Sequence, residues 1–131
     1  MIFVDTGAWF AQFVPGDPDH VSANSWVAGN RSALVTTDYV VDELLSLLKV
    51  RGEYARASAL GGPMLTGKLC RLEWASQTDI AAAWDVFSTF KDKDWSFTDC
   101  VSRVVMKRLD VRTAVAFDHH FRQFGTVAIV P

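Results

Sequence analysis

Asp5, Glu43, Asp99 and Asp118 are the side chains of this 131-residue chain whose type and position suit chemistry. Asp5 closes the short apolar run "MIFV", and Asp118 closes the run "TAVAF". Both runs read as buried strands, so both acids fall where a strand hands over to a loop. Glu43 sits inside "DYVVDELLSLLKV", between Val40 and Leu47. That spacing puts it on or beside an apolar helical stripe, while Asp42 points further away. Asp99 belongs to "SFTDC", in the first turn of a helix that Ser96 or Thr98 caps.

Each acid alone has an ordinary explanation. A strand-ending Asp can cap the following helix, and a Glu at the border of a stripe can reach water or pair with an Arg. The helix dipole favours an acid in the first turn by about 0.3–1 kcal/mol. Brought together, however, four carboxylates repel and raise one another's pKa. A hard divalent cation removes that conflict, and oxygen-only ligands with retained waters suit Mg²⁺ or Mn²⁺. Such an ion activates water and steadies the charge of a phosphodiester under attack. That chemistry needs no Ser, Cys or His nucleophile.

The elements that must bring the acids together alternate along the chain. Strands are expected at residues 1–4, 33–37, 69–75, 113–118 and 126–131. Helices are expected between them. "TGAWFAQFV" is one, and "DPDHVSANSWVAG" is another, with Asp17 as cap and Pro18 at its first position. "DYVVDELLSLLKVRG" carries the strongest helical periodicity, and "EYARASAL" continues as a helix until "GGP" disturbs or ends it. "SQTDIAAAWDVFSTF" starts at a Ser76 or Thr78 cap, "TDCVSRVVMKRLD" follows a charged loop, and "HHFRQFG" makes a short helical turn. Alternation of this kind means parallel strands joined by crossovers. The expected fold is α/β, a three-layer sandwich with a central, mainly parallel sheet flanked by helices. Ligands in such sheets bind beyond the carboxyl ends of the strands. Length and the lack of repeats or linkers point to one domain over residues 1–131.

Composition sets further bounds. Half the residues are hydrophobic, with nine Phe and five Trp, enough for a core without metal or disulfide staples. The net charge of −2 does not announce a nucleic-acid binder, so any grip on RNA must be local. Cys70 and Cys100 form no zinc or C-x-x-C spacing and read as free buried thiols. "MIFVDTGAWF" lacks a basic leader, and no stretch approaches the roughly 20 apolar residues of a membrane span. A soluble cytoplasmic protein is expected.

The four acids also carry a family likeness. "MIFVDTGAWF", "TTDYVVDELLSLL", "WSFTDCVSRVVMKRLDV" and "AVAFDHHFRQFG" stand in the order of the PIN-domain ribonucleases. The chain most resembles the VapC-like toxins of toxin–antitoxin modules. Between Gly52 and about Lys93 only the helix–strand–helix layout matches. The resemblance implies a PIN-like fold and an acidic quartet of Asp5, Glu43, Asp99 and Asp118. Asp5 and Asp99 would be the principal ligands of Mg²⁺ (or Mn²⁺). Glu43 and Asp118 would complete the site directly or through water, and Thr6 and Thr98 would orient ligands or the substrate phosphate. It further implies RNA as substrate, a cognate antitoxin protein and a homodimer.

Other features fit less chemistry. Adjacent histidines cannot face the same way on a helix, so His119 and His120 read as surface or packing residues rather than a two-His metal site. Arg103, Lys107 and Arg108 make a basic helix side, read as a solvated face with phosphate contact as the alternative. Trp9, Phe10, Phe13 and Trp26 read as core or dimer surface. Haloacid-dehalogenase phosphatases need a second Asp where this chain has Gly7, and receiver domains need an acid pair and a late Lys that it lacks. A non-catalytic RNA- or protein-binding module on the same scaffold is the alternative function.

Overall fold

The computed structural model of the chain describes residues 1–125 and 127–131. Five short strands form one sheet: β1 (Ile2–Val4), β2 (Leu34–Thr37), β3 (Arg71–Glu73), β4 (Thr113–Val115) and β5 (Ala128–Val130). Every pairing is parallel, in the order β3-β2-β1-β4-β5. Phe3 aligns with Ala114 and Val4 with Val115. Between β1 and β4 the strand order reverses direction, which opens a crevice at their carboxyl ends. The expected three-layer α/β fold is the observed one.

Six helices flank the sheet: α1 (Thr6–Phe13), α2 (His20–Gly29), α3 (Asp38–Val50), α4 (Tyr54–Leu65), α5 (Gln77–Thr89) and α6 (Phe97–Arg108). Their apolar faces meet the strands in one core that includes Phe3, Trp9, Leu44, Leu48 and Phe121, all essentially buried. Burying a Leu or Phe side chain contributes about 1.5–3 kcal/mol. Trp9, Phe10, Phe13 and Trp26 all join or pack against this core, and Cys70 and Cys100 are free buried thiols.

The boundaries depart from the sequence reading in instructive ways. Helix α2 begins at His20 rather than after Asp17, because the Asp17 side chain accepts from the Asp19 N–H at 2.9 Å and makes a turn of "DPD". Helix α4 runs straight through "GGP" to Leu65. Pro63 lies in its last turn, where one lost hydrogen bond is cheap, and bare Gly61 lets Leu45 of α3 approach closely. The third strand shrinks to Arg71–Glu73, with Leu69 and Trp74 exposed on either side. Strand β4 stops at Val115, so Asp118 sits on a bend beyond the strand rather than at its end. Thr126, expected to open the last strand, lies outside the described residues.

Candidate active site

Asp5 is the residue immediately after β1, buried at the crevice between β1 and β4. Its backbone N–H donates to Val115 O at 3.2 Å, which ties it to β4. On the other side the buried Thr36 hydroxyl donates to Val4 O at 3.0 Å. Asp5 stands at the N-cap of α1, yet its side chain makes no capping hydrogen bond. The ordinary explanation for a strand-ending Asp therefore does not apply. Burial raises its pKa well above the usual carboxylate value, and the charges of Asp118, Asp99 and Glu43 push it further in the same direction. The nearby Thr6 N–H works against this but does not prevail. Thr6 itself is buried, and its hydroxyl has no hydrogen-bond partner among the described residues.

Asp99 is the third residue of α6 and completes a capping box. Ser96, not Thr98, is the cap: its hydroxyl accepts from the Asp99 N–H at 3.1 Å. The Asp99 Oδ2 returns the favour by accepting from the Ser96 N–H at 3.0 Å. The same oxygen lies 3.0 Å from His120 Nδ1. The expectation that the cap frees the whole carboxylate is thus half right, since Oδ2 is engaged and only Oδ1 is left over. Burial raises the Asp99 pKa, opposed chiefly by the Ser96 N–H and then by His120, with Asp118 and Glu43 adding to the rise.

Glu43 and Asp118 border the pocket from two further elements. Glu43 is half-buried on α3, and its helix is started by Thr37, whose hydroxyl accepts from the Val40 N–H at 3.2 Å. The pair "TT" thus serves both sides of the site: Thr36 fixes the end of β1, and Thr37 launches the helix that carries Glu43. Asp118 is exposed. Its Oδ1 accepts from the His120 N–H at 2.9 Å, and its Oδ2 lies 3.7 Å from His120 Nδ1. Thr98 is half-buried beside Asp99.

The four acids are neighbours close enough to shift one another's ionisation, yet they do not form a finished ligand cage. Among the described residues no three His, Cys, Asp or Glu side chains already converge as a metal-binding group. Among the same residues no base pairs with Asp5; its electrostatic surroundings are other acids. An all-oxygen donor set with surplus negative charge, next to an unpartnered buried hydroxyl, fits a hard divalent cation. It fits no other neutralising group on this side of the sheet.

Two groups behave differently from the sequence reading. His120 is not a surface or packing residue; it reaches both Asp99 and Asp118. The only signal for it was its position two residues after Asp118 in "DHHF". The basic side of α6 is not a solvated face either. Arg108 grips Asp79 through two hydrogen bonds of 2.8 and 2.9 Å and Glu73 through a third of 2.8 Å. Arg103 lies over the rings of Phe90, Trp95 and Phe124 at 5.2, 5.3 and 6.0 Å. Neither guanidinium is free for a phosphate, which leaves Lys107 of the three.

Fold and site together define a parallel α/β domain with an acidic pocket at its strand-order switch. The PIN domain family matches residues 2–127, and the chain belongs to that family. It is 30% identical over 131 residues to the 23S rRNA-specific endonuclease VapC20 of Mycobacterium tuberculosis, covering 100% of this chain and 99% of the relative. It is 29% identical over 122 residues to Ribonuclease VapC26 of the same species, covering 92% of this chain and 89% of that one. The crystal structure of M. tuberculosis VapC20, described as a Sarcin-Ricin loop cleaving toxin, superposes with a TM-score of 0.92 at 29% identity, with both chains covered completely.

Proposed function

We propose that the chain is a divalent-metal-dependent endoribonuclease and the toxin of a toxin–antitoxin pair, folded as one domain over residues 1–131. The observation that carries this reading is the acid set around Asp5: a buried carboxylate with three acidic neighbours and no base opposite it. Full-length likeness to an rRNA endonuclease supports RNA as the substrate. Asp5 and Asp99 would hold Mg²⁺ or Mn²⁺, with Glu43 and Asp118 completing the site. The bound ion supplies charge neutralisation at the phosphodiester and activation of water. Thr6, with its unpartnered hydroxyl, orients Asp5 or a substrate phosphate oxygen, and Thr98 lines the approach to Asp99.

Two partners follow from the surface. A cavity of about 310 Å³ beside Asp118 is lined by Phe10, Leu47 and Phe117 together with Asp17 and Asp19. Apolar walls with an acidic rim suit an amphipathic, basic segment of an antitoxin. On α5, Trp84 and Phe87 are 59% and 41% exposed. They continue through Phe97 to Tyr39, each ring centroid 5.9 Å from the next. A second copy of the chain is the expected cover for this row.

The test is cleavage of a 23S rRNA fragment carrying the sarcin–ricin loop. Purified protein with Mg²⁺ or Mn²⁺ should cut it, EDTA should stop the reaction, and Asp5→Asn and Asp99→Asn should each abolish it with circular dichroism unchanged. Cleavage that survives both substitutions would overturn the assignment. RNA bound but never cut, equally well by wild type and both variants, would install the non-catalytic binding module instead.

A further inference from the structure

His120 is held from three directions. Its backbone N–H donates to Asp118 Oδ1 at 2.9 Å, its carbonyl accepts from Trp95 Nε1 at 3.2 Å, and its ring meets His119 edge-on with centroids 4.7 Å apart. So anchored, the half-buried ring sets Nδ1 at 3.0 Å from Asp99 Oδ2. The Ser96 N–H reaches that same oxygen at 3.0 Å. Two groups, one from the helix's own cap and one from the loop after β4, therefore act on one carboxylate oxygen. Oδ1 has no partner among the described residues. A carboxylate fixed through one oxygen presents the other in a single orientation, which is how groups behind a metal ligand tune its affinity.

We propose that His120 is a positioning residue: an N–H on Nδ1 holds Asp99 Oδ2 so that Oδ1 faces the acidic pocket as a cation ligand. Asp99 selects the tautomer that carries hydrogen on Nδ1, because only that tautomer can donate to it. The inference rests on the reading of the acid set as a cation site and adds to it the group that aims one ligand. It also assigns a use to the backbone link between His120 and Asp118. That link joins two acids of the pocket through one residue, so the bend after β4 and the start of α6 are set together.

The experiment is Mn²⁺ binding to the metal-stripped protein, followed by the electron paramagnetic resonance signal of free Mn²⁺, without any substrate. His120→Ala should weaken binding about tenfold or more. His120→Asn, whose side-chain amide can take the place of Nδ1–H, should recover affinity to within about threefold of wild type. Should His120→Ala fail to fold, His120→Phe keeps the ring and lacks the donor, and it carries the same comparison. His120→Ala (or Phe) binding Mn²⁺ as tightly as wild type overturns the proposal, as does His120→Asn binding as poorly as Ala. Asp5→Asn separates the two layers. If wild type binds Mn²⁺, Asp5→Asn does not and His120→Ala is unchanged, the cation site stands and the role of His120 falls. If wild type itself binds no Mn²⁺, both fall.

Discussion

Replacing Asp5 by Asn should make the metal-free protein more stable. In the folded chain Asp5 is 4% exposed, and its carboxyl is held well above the ordinary value of 3.8, first by burial and then by Asp118, Asp99 and Glu43. The sign follows from linkage. Below the unfolded value both states carry the proton, and Asp5 costs nothing. As pH rises from there to the folded value, ionisation increasingly favours the unfolded chain, and above the folded value the full penalty persists. Asn keeps the shape and the acceptor oxygen facing the Thr6 N–H but has no charge to bury. A tenfold difference in the ionisation equilibrium is worth about 1.4 kcal/mol. A shift well beyond ordinary therefore releases at least about 1.4 kcal/mol, which for a domain of this size raises Tm by roughly 4 °C or more. The assay is thermal unfolding in EDTA at pH 7, repeated near pH 4, where the advantage should largely vanish. Adding Mn²⁺ should then stabilise the wild type and leave Asp5→Asn where it was. An Asp5→Asn protein that melts at or below the wild-type temperature in EDTA would refute the claim that Asp5 carries an uncompensated charge.

Two further outcomes follow from other parts of the molecule. Arg108→Ala strands the buried Asp79, whose carboxyl is held below its usual value mainly by the Arg108 hydrogen bonds. The loss should be about 2 kcal/mol, less than for a fully buried pair because Arg108 is partly exposed. The Asp79 contribution is fully present above pH 3.8 and disappears as pH falls through the lower folded value, so the difference between Arg108→Ala and wild type should shrink in strong acid. Urea unfolding against pH measures it. Trp84→Lys places a charge on the exposed aromatic row and should convert a dimer to monomers, read by light scattering after gel filtration; an unchanged mass would exclude α5 as the face covered by a second copy.

Much of this was legible in the residues because local rules and tertiary need agreed. "DYVVDELLSLLKV" is periodic, so α3 and the place of Glu43 on its flank were readable. Alternating strands and helices gave the parallel sheet, and parallel sheets put ligands at one edge. What escaped was decided by contacts between distant segments. Asp17 preferred a local turn to a cap, because Asp side chains bond the backbone two residues on as readily as they start helices. Pro63 was tolerated because α4 packs on α3 through Gly61, a fact no window of sequence holds. His120 could not be recognised as a partner of Asp99, because only the folded bend after β4 brings residue 120 to the start of α6. The basic face of α6 was misread for the same reason: the acids that occupy Arg108 come from β3 and α5.

The β1–β4 pairing has a consequence for the life of the polypeptide. Phe3 and Val4 find their partners only at Ala114 and Val115, so the central pair of strands joins the two ends of the chain. Ribosomes deliver the N-terminal part first, and contacts between sequence-distant segments form late because loop closure must precede them. Until β4 emerges, Asp5 has no crevice to occupy, and Asp118 has not been synthesised. A truncated or half-made chain thus holds its acids apart, and the pocket comes into being as one of the last events of folding. For a protein that turns on the RNA of the machine making it, that order of assembly delays the hazard until translation of the chain is nearly done.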